Sequence, residues 1–173
     1  IAHDAFRGPL DRIGARWLDV GFGNAALLFT AAEFGFTPVG LDLRQKSVVS
    51  LASVGCEAHC ADILEWEPAE PLQVISMADV LEHMPYPGRA LSRAREIMRP
   101  DGTLFVSMPN MGSPLWDLMT SLNNNPYWGE QEHYHNFTHS RLFALLKETG
   151  FEPVHYGVSE RYRCCMEIVA RPI

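Results

Sequence analysis

The 173-residue chain lacks any run of the roughly 18 uninterrupted apolar residues from which a membrane-spanning helix is built. A protein that crosses a bilayer by a helix is therefore excluded, and a soluble chain is expected. No long basic run is present, and 14 Lys and Arg stand against 21 Asp and Glu for a formal net charge of −7. Duplex nucleic acid and anionic membrane surfaces are bound mainly through clustered basic side chains, so neither is expected as the principal partner. Paired C-x-x-C spacing is also missing. Of the four cysteines, Cys56, Cys60, Cys164 and Cys165, two are adjacent and cannot staple distant segments to each other. Reduced thiols in a cytoplasmic protein are expected, although the opening residue Ile1 leaves room upstream for a removed targeting segment. Repeats and low-complexity segments are absent.

What remains is ordinary globular composition. Hydrophobic residues make up 47% and charged residues 20%, far from the region where chains stay disordered, and the length suits one domain spanning 1–173. Apolar runs and helical periodicity alternate along it. Strands are expected at Arg16 to Val20, Thr37 to Leu43, Glu57 to Ala61, Gln73 to Ala78 and Thr103 to Met108. Helices are expected from Ala25 to Phe34, Gln45 to about Val54, Arg89 to Met98, and from an N-cap at Ser140 to Gly150. Pro100-Asp101-Gly102 reads as a turn that ends the third helix. The last two strands, Glu152 to Val158 and Arg163 to Ala170, leave no room for a crossover and must pair antiparallel. These elements predict an α/β fold: a doubly wound, Rossmann-like sheet of seven strands, mostly parallel, with an antiparallel C-terminal strand. Between residues 109 and 137 periodicity fades, and the segment reads as an insertion.

In such a sheet a ligand binds beyond the carboxyl ends of the strands, where strand order reverses. The first strand leads into LDVGFGNA, Leu18 to Ala25, which joins an acid to a glycine-rich turn. Asp42 ends the next strand 19 residues after Gly23, where a carboxylate can accept both hydroxyls of a ribose. An adenosine-type cofactor is implied. Gly21-x-Gly23-x-x-Ala26 also satisfies the fingerprint of NAD enzymes, so a dehydrogenase stands as an alternative. Asp19 favours S-adenosylmethionine: two residues before the first glycine, its carboxylate would repel a pyrophosphate but suits a cationic ligand.

Further motifs follow in order: VGLDLR (Val39 to Arg44), HCADIL (His59 to Leu64), VISMADVLEHMPYP (Val74 to Pro87), RPDGTLFVSMPN (Arg99 to Asn110) and HNFTHSRLFALLKETGFEPV (His135 to Val154). With LDVGFGNA they resemble the class I S-adenosylmethionine-dependent methyltransferases, in the broad group that includes the ubiquinone-pathway O-methyltransferases, over nearly the whole chain. The resemblance implies that Gly21 and Gly23 contact the methionine part and that Asp19 orients it. It implies that Asp42, with Leu43 beside it, holds the ribose, that Asp62 and Ile63 bracket the adenine, and that Met77 and Ala78 lie near the sulfonium. Two positions depart from the family pattern. Ala25 replaces a glycine, which is tolerable if its backbone keeps a negative φ, and Gln73 replaces an acid remote from the chemistry. Family members usually carry an N-terminal helical segment over the acceptor; with only fifteen residues before the first strand, that lid is expected to be short or missing.

Methyl transfer to a hydroxyl calls for a base, and His83, His133 and His135 are the candidate catalytic residues. No metal is expected. Glu132, His133 and His135 are close in sequence, but alternation suits only two of them, and the acid pair plus amide of metal-dependent catechol-type methyltransferases is not evident. Trp116, Tyr127 and Trp128 are expected to form an aromatic lid over the acceptor, with Asn125 and Glu130 as polar neighbours suited to a sugar or a flat polar ring. The expected function is methylation of a small-molecule acceptor, at oxygen of a sugar or other hydroxylated metabolite. A module that binds the cofactor without turnover is the alternative.

Overall fold

A computed structural model describes residues 13–173. Residues 1–12, which make up most of the segment where a short or missing lid is expected, lie outside the described residues. The elements are β1 (Arg16–Val20), α1 (Ala26–Glu33), β2 (Thr37–Asp42), α2 (Gln45–Ser53), β3 (Glu57–Cys60), β4 (Leu72–Ala78), α3 (Pro87–Ile97), β5 (Met98–Pro109), α4 (Pro114–Ser121), α5 (His139–Glu148), β6 (Phe151–Val158) and β7 (Cys165–Pro172). They build one seven-stranded sheet in the order β3-β2-β1-β4-β5-β7-β6. All pairs are parallel except β5 with β7 and β6 with β7, so β7 alone runs against the rest. The predicted architecture is the observed one.

Alternation along the strands sorts side chains to two covered faces. Leu18, Val20, Ile75, Met77, Leu104 and Val106 face one way into the main core, together with Leu91 and Ile97 of α3 and Leu142 and Leu146 of α5. Their neighbours face the other way, where Trp17 and Val74 meet Ala31 of α1, and Phe22 and Leu28 meet Val48 and Leu51 of α2. On α3 the buried residues Ala90, Leu91, Ala94 and Ile97 recur at helical spacing, as the sequence pattern requires. Gly150, at φ 85°, ends α5 in the left-handed conformation that glycine adopts without penalty.

Three boundaries differ from expectation. Pro100-Asp101-Gly102 does not separate helix from strand, because α3 stops at Ile97 and β5 already pairs at Met98, opposite Leu72. The register then jumps to Val74 opposite Thr103, so the Pro-Asp-Gly segment is absorbed as a bulge inside one strand. Gln73 fixes that bulge by donating from Nε2 to the Asp101 carbonyl at 3.0 Å. The insertion contains a helix that periodicity did not reveal, α4, opened by Ser113, whose Oγ accepts from the Trp116 N–H. The N-cap of α5 is Thr138 rather than Ser140; its Oγ1 accepts from the Arg141 N–H. Among the described residues all four cysteines are free thiols, and no helix is long and apolar enough to cross a membrane.

Candidate functional site

Strand order reverses between β1 and β4, since the chain winds from β1 out to β3 and then returns to β4 on the other side. Along the carboxyl edge of β3-β2-β1-β4 the sheet therefore lines up Asp62, Asp42, the Gly21–Gly23 turn and Ala78. Residues far apart in sequence share one rim because their strands are parallel and adjacent.

Gly21 stands at φ 64°, and a Cβ built there would lie 2.8 Å from the Val80 side chain. Only glycine fits this turn without displacing the exit of β4. Gly21 donates its N–H to the Leu41 carbonyl at 2.7 Å, holding the turn against β2. The condition set for Ala25 is not met: its φ is 63°, in the left-handed region, not negative. The position keeps the backbone of the glycine it replaces. Ala25 donates to the Phe22 carbonyl at 2.7 Å, and its methyl group packs in the small core beneath the turn, which offsets the unfavourable conformation.

Asp19 is buried beside β4, opposite Ser76 in the sheet register. Ser76 Oγ donates to Asp19 Oδ1 at 2.6 Å and accepts from Trp17 Nε1 at 2.9 Å. Burial raises the Asp19 carboxyl to about 7 despite that hydrogen bond, and the other charge acting on it, Asp42, has the same sign. A cationic group placed beside Asp19 would relieve both penalties. Asp42 is held below the usual carboxylate range, chiefly by hydrogen bonds from Arg44 and further by the Gly23 backbone N–H. Leu43 beside it is largely exposed. Asp62 accepts from the Leu64 N–H at 2.9 Å and so shapes the loop after β3. Met77 and Ile63 are fully buried and their side chains line no surface, whereas Ala78 is half-buried at the rim. The charged and glycine positions thus match the demands of a cationic, ribose-bearing ligand, and at Met77 and Ile63 only backbone groups can meet it.

A cleft of about 310 Å³ lies beyond β4 and β5, lined by Asp79, Glu82, His83, Tyr127, His133 and Cys165 among others. The short 3₁₀ turn Leu81–His83 carries two of these residues. The insertion folds over it because the backbone carbonyl of Glu82 accepts from the N–H groups of both Tyr134 and His135, at 2.8 and 3.2 Å. That docking sets the rings of His83 and His133 4.6 Å apart, edge to face. His83 Nδ1 lies 3.1 Å from the Glu132 carbonyl, which can only accept, so this nitrogen is the donor. Burial, and then the neighbouring His83, lower the pKa of His133 and hold it neutral. His135 does not line the cleft; its Nε2 lies 3.4 Å from the Pro85 carbonyl.

The aromatic residues of the insertion form a wall rather than a loose lid. Trp116 is buried and stacks on Tyr127 at 5.3 Å and 8°, and Tyr127 continues the stack onto His133 at 6.3 Å. Trp128 meets Trp116 edge to face and stays largely exposed. Asn125 does not face the cleft; it caps the turn that holds Tyr127, accepting the Tyr127 N–H at 3.1 Å, while Glu130 does line the cleft.

Sequence reasoning missed Glu82. Its carboxylate is buried at 2% exposure, and neither oxygen has a hydrogen-bond partner. The backbone N–H groups of Glu82 and Val80 lean toward it without making bonds of ordinary geometry, and burial raises it to about 8. The signal was present in the Leu81-Glu82-His83 string, where an acid precedes a histidine at a strand exit.

The comparisons agree with this fold. A profile described as "Methyltransferase domain" matches residues 4–156. The ubiquinone biosynthesis O-methyltransferase of Caulobacter vibrioides is 29% identical over 114 residues, which are 61% of this chain and 44% of that protein. The chain thus spans less than half the length of that relative. Among solved structures, the 1,6-didemethyltoxoflavin-N1-methyltransferase of Burkholderia thailandensis, with bound S-adenosylhomocysteine, superposes with a TM-score of 0.72 at 20% identity, over 92% of this chain and 71% of that one. The magnesium protoporphyrin IX methyltransferase of Synechocystis PCC 6803 gives 0.73 at 16% identity over 92% and 75%. Fold, glycine turn and profile converge: the chain belongs to the methyltransferase-domain family, as a class I S-adenosylmethionine-dependent member.

Proposed function

We propose that the chain transfers a methyl group from S-adenosylmethionine to an oxygen of a small hydroxylated molecule, a sugar or another hydroxylated metabolite, seated in the cleft beyond β4. Bound S-adenosylmethionine supplies the methyl group on a good leaving group, so the protein's task is alignment and proton removal. In this reading Asp42, with Leu43 beside it, holds the ribose, and Asp19 faces the amino group of the methionine part. Gly21 and Gly23 admit that part to the backbone. Asp62 and Ile63 flank the adenine, while Met77 and Ala78 border the sulfonium through the β4 rim.

The observation that carries the acceptor side is the placement of His133 in the cleft that borders this rim, its ring 4.6 Å from that of His83 and edge to face with it, where burial pushes its pKa down and favours the neutral form. A neutral histidine can accept the hydroxyl proton as oxygen attacks, and the Trp116–Tyr127 stack gives a flat wall against which a ring can lie. Several relatives named ubiquinone biosynthesis O-methyltransferase support oxygen as the acceptor atom.

The test is transfer of labelled methyl from S-adenosylmethionine to a panel of sugars and phenols, with the product linkage read by mass spectrometry. An O-methyl product is expected. Label found on nitrogen or carbon would overturn the assignment of atom, and binding of S-adenosylhomocysteine with no transfer to any acceptor would favour a cofactor-binding module.

A further inference from the structure

We propose that the methyl acceptor carries an anionic group, a carboxylate or a phosphoryl group, and that Arg161 and Arg163 in the loop between β6 and β7 bind it at the lip of the cleft. The proposal rests on the functional reading above and narrows its substrate class. Because β7 runs against β5, with Cys165 opposite Pro109, the loop of residues 159–164 emerges at the carboxyl edge of the sheet, on the same side as the exit of β4. Tyr162 of this loop lines the cleft and keeps about half of its surface exposed. Its position is fixed by the backbone around it. The Ser159 N–H donates to the Cys165 carbonyl at 2.9 Å, and the Cys165 N–H donates to the Tyr162 carbonyl at 2.7 Å. Ser159, itself buried, accepts the Tyr162 N–H on its Oγ at 3.3 Å. The Asn110 N–H donates to the Cys164 carbonyl at 2.8 Å and ties the loop to the start of the insertion.

Two observations point to an anion. The guanidinium of Arg161 stands over the Tyr162 ring, 5.0 Å from its centre. A guanidinium held against an aromatic face keeps its N–H groups free, and its weak hydration and planar fork suit a carboxylate or a phosphate. The second observation is the lack of a competing acid. The chain has 21 Asp and Glu against 14 Lys and Arg, and Arg16, Arg44, Arg93, Arg99 and Arg141 each reach a carboxylate. Among the described residues neither Arg161 nor Arg163 forms an ion pair, although Glu160 adjoins them in sequence. Two unpaired guanidinium groups therefore share one braced loop beside the cleft. The cleft itself is lined by Asp79, Glu82 and Glu130 and, among the described residues, by no lysine or arginine. An anion is disfavoured within it and favoured at the loop, so the charge pattern sets the orientation of the acceptor: anionic group at residues 161–163, hydroxyl toward the inside of the cleft.

The full chain, with S-adenosylhomocysteine present, is titrated calorimetrically with probes that share a ring and differ in charge: glucose, glucuronate and glucose 6-phosphate in one set, phenol and 3-hydroxybenzoate in the other. In at least one set the anion is expected to bind about fivefold or more tighter than the neutral probe, and the difference should shrink as salt is raised. Glucuronate against glucose 6-phosphate separates carboxylate from phosphoryl recognition. The double variant Arg161→Ala, Arg163→Ala should lose the preference, and Arg161→Lys should keep only part of it. S-adenosylhomocysteine binding, measured on the same variants, should stay at the wild-type level and shows that they are folded. No preference for the anion in either set, or a preference that survives in the double variant, sinks the proposal. An anion bound through the two arginines with no methyl transfer to any acceptor sustains the site and counts against the functional reading. O-methylation of neutral acceptors with the same KM as their anionic partners does the reverse.

Discussion

Arg44 grips Asp42 through both carboxylate oxygens, with Nε 2.9 Å from Oδ1 and Nη2 2.7 Å from Oδ2, while its own backbone N–H also reaches Oδ1 at 2.8 Å. The arginine is largely exposed and the aspartate is not. Asp42 is therefore preorganised as an anion, but its outward lone pairs are partly taken by a side chain that can swing into solvent.

If Asp42 receives the ribose, Asp42→Ala should weaken S-adenosylhomocysteine binding by about 1 to 3 kcal/mol, the range for losing a hydrogen bond to a charged partner. Arg44→Ala should leave the affinity unchanged or raise it by up to about fivefold, since an exposed ion pair is worth about 1 kcal/mol or less. Calorimetry on both variants decides the matter. A large loss in Arg44→Ala would make Arg44 a ligand contact instead of a competitor.

Asp19 gives a pH dependence with a definite sign. Its folded pKa of about 7 lies above the ordinary value of 3.8, so between these values the folded chain holds a proton that the unfolded chain has lost. Stability should therefore fall as pH rises through this window, and thermal melts of Asp19→Asn should show a flatter decline. A ligand cation pairs only with the ionised form, so cofactor affinity in the wild type should rise from pH 5.5 to 7.5. The Asn variant should bind more weakly and lose that slope.

Ala25 is a case in which opposing magnitudes nearly cancel. Replacing it with glycine relieves a left-handed conformation worth about 1 to 2 kcal/mol. The gain is opposed by roughly 0.8 kcal/mol for the buried methyl group and by about 0.5 to 1 kcal/mol of added freedom in the unfolded chain. Ala25→Gly should thus be close to neutral in denaturant unfolding. Ala25→Val places a β-branched side chain at φ 63° and should destabilise by about 2 kcal/mol or more.

His133 and His135 differ by two positions and should differ widely in effect. His133→Ala removes a cleft residue and should lower turnover by roughly 10² to 10⁴, the usual span for a lost proton-transfer group, with S-adenosylhomocysteine affinity intact. His135→Ala should change turnover only slightly, since its ring faces the Pro85 carbonyl outside the cleft. Single-turnover rates with a good acceptor separate the two. Equal losses would assign His135 a role its position does not suggest.

The rim that joins the Gly21 turn to Asp42 could be read in the sequence because its signals are local: a buried strand, a glycine turn, and an acid at the end of the next strand. The cleft beyond β4 could not. Glu82 sits between Leu81 and His83, and nothing near it in sequence shows that the acid turns inward; its burial depends on Tyr134 and His135 docking on its carbonyl from some 50 residues away. Helix α4 escaped notice because eight residues offer barely two turns of periodicity. The sign of φ at Ala25 was not legible for a different reason: alanine ordinarily marks a negative φ, whereas the fold demands the left-handed turn whichever residue occupies it.

The two bonds from Glu82 to Tyr134 and His135, with the bridge between Asn110 and Phe137 just beyond them, fasten the C-terminal end of the insertion to the sheet. The portion before them, α4 and the Tyr127 turn, forms a wall of the cleft beyond β4 and contributes nothing to the glycine turn or to Asp42. On the proposed function, acceptor preference and cofactor recognition are consequently separable traits. Exchanging the segment between Ser113 and Glu130 should redirect which molecule is methylated while the rim of the glycine turn and Asp42 is inherited unchanged.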